Sequence, residues 1–198
     1  WQVILNSHNQ IASQIPEELG IKPITIIVTS KQNLADTKAK AFKKFLQTQR
    51  KLTDAEVNDI VLSVHSGQKA AVDRLKLSKV NEKGNPVEFI FSVSMLTEGW
   101  DVKNVFQIIP WEDKAFNSKL LISQVLGRGL RIPKEYVGTQ PIVTVFNHDS
   151  WSKNIEGLVN EILEIETRII STVKYSGERT KYNFKVKSID YTKEEIEN

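Results

Sequence analysis

The chain has 198 residues, of which 40% are hydrophobic, enough for one substantial core but hardly two. Its 27 Lys and Arg against 24 Asp and Glu leave a net charge of +3, a mild basic bias that permits polyanion binding without demonstrating it. Cysteine is absent, which excludes disulfides and thiolate metal sites, and no apolar run approaches the length of a membrane span.

Residues 1–20 read as a lead-in from a preceding domain. They begin at Trp1 without a basic-then-apolar signal pattern, so the expectation is a segment of a longer cytoplasmic protein. Ile24-Thr-Ile-Ile-Val-Thr29 is a β-branched apolar strand. A helix follows from Leu34 to about Gln49, with Leu34, Ala41, Phe42, Phe45 and Leu46 expected inward and Asn33 as its cap. The lysine run in Lys38-Ala-Lys-Ala-Phe-Lys-Lys44 reads as a solvated helical face.

Ile60 to Val64 gives a second strand, closed by His65-Ser66-Gly67, and Gln68 to about Val80 a second helix. Asn81-Glu-Lys-Gly-Asn-Pro86 is a turn-rich connector. Val87 to Val93 is the third strand, Val105 to Pro110 the fourth and Ile142 to Phe146 the fifth, with a helix at Asn117 to Leu130. Such alternation predicts an α/β domain with a mainly parallel sheet and helices on both faces. Ile155 to about Val173 carries the apolar spacing of a long amphipathic helix, and Lys181 to Ser188 alternates like a half-exposed strand expected to pair with a neighbour outside the chain.

Two segments carry the chemistry. In Gln124-Val-Leu-Gly-Arg-Gly-Leu-Arg131, Gln124, Arg128 and Arg131 fall at i, i+4 and i+7, one stripe of a helix, while Ile122, Val125, Leu126 and Leu130 occupy most of the far side. Guanidinium groups keep their charge and donate paired hydrogen bonds, which suits a polyphosphate. Gly127 and Gly129 weaken a helix by about 1 kcal/mol each relative to alanine, so they suggest close approach of a ligand or another backbone. The plainer alternative is a surface helix with two solvated arginines. Upstream, the apolar run Phe89 to Val93 gives way to Thr97-Glu98-Gly99-Trp100-Asp101, a polar loop at the carboxyl end of a strand, where parallel α/β sheets bind ligands.

In order and spacing, Ser94-Met-Leu-Thr-Glu-Gly-Trp-Asp101 followed by Gln124 to Arg131 resembles the fifth and sixth motifs of superfamily-two helicases and translocases. The wording through Val102-Lys-Asn-Val105 is most similar to the restriction (Res) subunit of type III restriction enzymes, ATP-dependent DNA motors joined to a nuclease. The resemblance implies a RecA-like three-layer fold over 21–150, the second motor domain or helicase C-terminal domain, with 151–198 a helix and tail leading to a further domain. The family's phosphate-binding loop, G-x-x-x-x-G-K-S/T, has no counterpart here; Gly67-Gln-Lys-Ala lacks its spacing and its hydroxyl. The implied ATP and Mg are therefore held mainly by a first RecA-like domain of the same polypeptide, and this fragment alone is expected to turn nothing over.

Carried over by resemblance, Arg128 and Arg131 are arginine fingers, and Gln124 positions the attacking water or senses the γ-phosphate. Glu98, Gly99, Asp101 and Gly127 border the nucleotide. The loops after the first two strands and the fifth motif contact the DNA backbone, which maps to Thr29, Ser30, Ser66, Gly67 and Thr97. Double-stranded DNA and a DNA methyltransferase subunit are the implied partners. The alternatives are the motor of another superfamily-two helicase or repair ATPase, and a noncatalytic α/β interaction domain. His8, His65 and His148 lie far apart with no local ligand pair, so no metal site is expected.

Overall fold

The computed structural model describes residues 1–93, 102, 104–111, 142–146, 174–175 and 181–185. In chain order these form α1 (Gln2–Gln14), a 3-10 turn (Glu17–Leu19), β1 (Ile24–Thr29), α2 (Gln32–Arg50), α3 (Asp54–Ile60), β2 (Val61–Val64), a second 3-10 turn (Gln68–Ala70), α4 (Ala71–Ser78), β3 (Phe89–Val93), β4 (Val105–Pro110), β5 (Ile142–Phe146), β6 (Lys174–Tyr175) and β7 (Lys181–Lys185). The sheet runs β2-β3-β1-β4-β5-β7-β6. Every pairing from β2 to β5 is parallel.

β1 lies at the centre because all six of its residues are apolar or Thr, and all six are buried. It pairs with β3 on one side (Ile27↔Phe91) and β4 on the other (Ile27↔Ile109). A strand buried on both faces reads as a continuous apolar run rather than an alternating one. One face packs Ile27, Phe89, Phe91, Val61 and Ile109 against Ile4 and Leu5 of α1, Ala35, Ala39, Phe42 and Leu46 of α2, and Val57 of α3. Ile26, Leu62, Ile90 and Ile108, on the other face, are no more than 2% exposed. The architecture is thus the expected α/β fold, a mainly parallel sheet buried on both faces and consistent with a RecA-like domain.

Phe42 is the hub of this core. It is fully buried, its ring centroid 5.2 Å from Trp1, 4.7 Å from Phe89 and 5.7 Å from Phe91. The inward residues of α2 are Ala35, Ala39, Phe42 and Leu46, spaced i, i+4, i+7 and i+11; expected Ala41 is exposed, and Leu34 and Phe45 are only partly buried. The helix begins two residues before Leu34, and its cap position is Lys31 with no side-chain hydrogen bond, which places Asn33 inside the first turn.

Other boundaries shift for physical reasons. Ile60 ends α3 instead of starting β2, because Thr53 and Glu56 form a capping box that nucleates a helix there. The expected helix at 68–80 starts as a 3-10 turn and is α-helical only over Ala71–Ser78. β3 starts at Phe89, two residues later than expected. β7 pairs antiparallel with β5 inside the chain, Thr144 facing Asn183, so the tail finds its partner here and not in an outside neighbour. The helices expected at 117–130 and 155–173 lie outside the described residues.

Two lysines of the run in α2 are not simply solvated. Lys43 donates to Asn58 Oδ1 at 2.9 Å, and Lys38 Nζ sits 4.7 Å above the Trp111 ring. Trp111 in turn stacks on Trp1, with centroids 4.7 Å apart. Its backbone N–H donates to Val28 O at 2.8 Å, fixing it at the carboxyl end of β1 and β4.

Candidate nucleic-acid interface

Because β1, β2, β3 and β4 are parallel, their last residues, Thr29, Val64, Val93 and Pro110, share one edge of the sheet. Ligands of open α/β sheets bind at that edge. The structure brings the loops after β1 and β2 together there, although β3 lies between those strands. Gln32 Nε2, at the start of α2, donates to Ser66 Oγ at 3.0 Å. One turn later, Asp36 Oδ1 lies 3.0 Å from His65 Nε2 and accepts from the Ser63 hydroxyl at 2.7 Å.

His65 is 2% exposed, and both ring nitrogens are engaged. Gly67 N–H donates to Nδ1 at 3.1 Å. A backbone N–H can only donate, so Nδ1 is the acceptor and the ring proton resides on Nε2, which donates to Asp36. This is not a nucleophilic triad: Nδ1 faces a backbone amide, and Ser63 bonds the carboxylate instead of the imidazole. The cluster ties the loops after β1 and β2 to each other.

Arg74 on α4 completes it. Its NH1 donates to the carbonyls of His65, at 2.6 Å, and Gly67, at 2.8 Å. A Cβ on Gly67 would lie 2.9 Å from Gln32 Oε1 and 2.9 Å from both His65 Cε1 and Nδ1. Glycine is required here by crowding, since φ is an ordinary −64°.

The predicted DNA-contacting residues therefore divide. Ser66 is exposed, and its oxygen accepts from Gln32, which leaves its own O–H as a donor. Gly67 allows close backbone approach, but its N–H is already used by His65. Thr29 is fully buried, and its hydroxyl donates within the fold to Lys31 O at 3.3 Å or Ser92 O at 3.4 Å. Ser30 sits between Thr29 and α2 on the same loop, partly buried. Thr97, Glu98, Gly99, Asp101, Gln124, Gly127, Arg128 and Arg131 lie outside the described residues. Asp36, His65 and Arg74 escaped the sequence reading; the only signal for them was the polar triplet closing β2.

A second polar network lies at the opposite edge. His8 Nδ1 is 2.9 Å from Thr25 Oγ1 and His8 Nε2 3.2 Å from Glu88 Oε2. Arg50 donates to the same Glu88 oxygen at 2.7 Å and to Asn9 Oδ1 at 3.0 Å. Burial pushes the Glu88 carboxyl up, but the bond from His8 and the Arg50 charge outweigh it and hold the group below its usual value. This network ties α1 and α2 to the amino ends of β1 and β3. Among the described residues no group of His, Asp or Glu could hold a metal ion, and no helix is long and apolar enough to cross a membrane.

No family model and no solved structure matches the chain. Over 54 residues it is 48% identical to the type III restriction-modification enzyme EcoPI Res subunit of Escherichia phage P1. The EcoP15I Res subunit of Escherichia coli matches to the same extent. The matched segment is 27% of this chain and 5% of either relative. An α/β domain with this carboxyl-edge cluster is thus similar, over about a quarter of its length, to the Res subunits of type III restriction-modification enzymes.

Proposed function

We propose that the chain is the second motor domain of an ATP-driven DNA translocase of the restriction type, working within a longer polypeptide. The observation that carries the reading is the shared carboxyl edge. Loops after β1 and β2 are locked together there by the Gln32–Ser66 and Asp36–His65 bonds, while β3 and β4 end at the same edge. In sequence, Thr97 to Asp101 follow β3 and Gln124 to Arg131 follow β4. The similarity to Res subunits supports the narrower assignment.

In this reading the exposed Ser66 hydroxyl, with Ser30, Gly67 and Thr97, meets the sugar–phosphate backbone of duplex DNA. Small hydroxyls and close backbone suit sequence-independent phosphate contact. Thr29 shapes the loop from inside. ATP and Mg sit against a first motor domain; bound there, they supply the phosphoryl group and neutralise its charge. The residues of this chain close over that site. Arg128 and Arg131 stabilise negative charge on the transferred group, Gln124 orients water, and Glu98, Gly99, Asp101 and Gly127 border the nucleotide. A methyltransferase subunit supplies sequence recognition, as the Res resemblance implies.

The test is DNA-stimulated ATP hydrolysis by the complete polypeptide. Arg128→Ala and Arg131→Ala are each expected to cut turnover by about 10³-fold or more, with DNA binding and folding retained. Unchanged turnover in both would make the helix structural and favour an α/β interaction domain.

A further inference from the structure

We infer that Asp36 and His65 are positioning residues: together they hold the Ser66–Gly67 loop in the shape that meets the DNA backbone, an inference that rests on the DNA-contact reading above. One imidazole joins two separate pieces of chain. Its Nδ1 takes the Gly67 N–H at 3.1 Å, and its Nε2–H reaches Asp36 at 3.0 Å on α2. Asp36 is itself anchored, since its Oδ1 accepts from the Ser63 hydroxyl of β2 at 2.7 Å.

Further contacts restrain the loop. Arg74 clamps the carbonyls of His65 and Gly67 at 2.6 and 2.8 Å, and the missing Cβ of Gly67 lets its backbone lie against the ring. Turning the Gly67 N–H inward leaves the Ser66 hydroxyl, steadied by Gln32 at 3.0 Å, as a donor at the edge. His65 is buried while the Asp36 side chain is 38% exposed, so the pair carries only part of the desolvation cost of a fully buried one. What it provides is a single loop conformation beside a ligand-binding edge.

Two substitutions separate the two hydrogen bonds. His65→Asn places an amide oxygen where Nδ1 was and keeps an acceptor for Gly67; His65→Gln places an amide nitrogen near Nε2, keeping the donor to Asp36 but not the acceptor. In the complete polypeptide, the duplex concentration giving half-maximal ATPase stimulation is measured with a duplex of mixed sequence, and amide exchange at Gly67 is followed in the same samples. His65→Asn, which keeps the Gly67 bond but gives up the one to Asp36, is expected to need about twofold more DNA than the parent. His65→Gln is expected to need about fivefold more DNA, the loss of one ordinary hydrogen bond, with kcat at saturating DNA retained and faster exchange at Gly67.

Equal DNA requirements in the two variants would overturn the positioning role, as would unchanged Gly67 exchange in both. Ser66→Glu serves as the control for the contact itself. If it raises the DNA requirement while His65→Gln does not, positioning alone has failed. If it changes nothing, the DNA-contact reading has failed, and the exchange comparison still decides whether His65 sets the loop.

Discussion

Replacing Glu88 by Gln removes a charge without removing bulk, and its effect can be worked from the geometry. One carboxylate oxygen, Oε2, accepts from both Arg50 NH1 at 2.7 Å and His8 Nε2 at 3.2 Å. The amide oxygen of the substituted side chain can still accept, but without the charge. A charge-assisted bond exceeds a neutral one by about 1 kcal/mol, so Glu88→Gln is expected to cost about 2 kcal/mol at neutral pH, two bonds being weakened. Arg50 is 26% exposed, so solvent screens part of its share and the figure leans downward.

The pH dependence gives the sharper test. Glu88 in the folded chain lies below its ordinary value of 4.5. The unfolded chain therefore binds more protons through the window between the two values, and stability rises with pH across it. The contribution is fully present above the unfolded value and is lost as pH falls through that value towards the folded one. Urea denaturation of parent and Glu88→Gln should give a constant gap near neutral pH that closes as the buffer drops below about pH 4.5. A gap that is absent at neutral pH, or unchanged in acid, would show that the ionised carboxylate does not stabilise the junction of α1, α2 and the sheet.

Two further stability measurements follow from the backbone and the core. Phe42→Ala should cost about 3–5 kcal/mol, because the ring is fully buried between Trp1, Phe89 and Phe91; a loss under about 1 kcal/mol in urea titration would mean the core collapses around the gap. Lys51→Gly should raise stability by about 1 kcal/mol, since Lys51 ends α2 with φ at 54°, a left-handed conformation that glycine adopts freely; an unchanged thermal midpoint would contradict this.

Legibility in the sequence depended on how local each signal was. β1 and β5 are readable to the residue because an apolar, β-branched run carries its own boundaries, and β4 keeps its bounds although Gln107 interrupts its apolar run. The turn at 81–86 is equally local, with Gly84 at φ +80°. α1 is not legible: its buried face includes Ser7 and His8 beside Ile4 and Leu5, so the apolar period is broken by polar residues whose partners lie elsewhere. α3 leaves a signal in Thr53-x-x-Glu56, but it competes with Ile60, which reads equally well as strand.

The alternation of strand and helix, the apolar residues that make the sheet, and the candidate motifs at Thr97 to Asp101 and Gln124 to Arg131 are all written in the order of residues along the chain. Three features belong to the folded molecule alone: β3 inserts between β1 and β2, β7 returns to β5, and Asp36 meets His65 across 29 positions of chain. Periodicity and turn chemistry act between residues a few positions apart, whereas strand order and long-range polar pairs are set by which distant surfaces pack together.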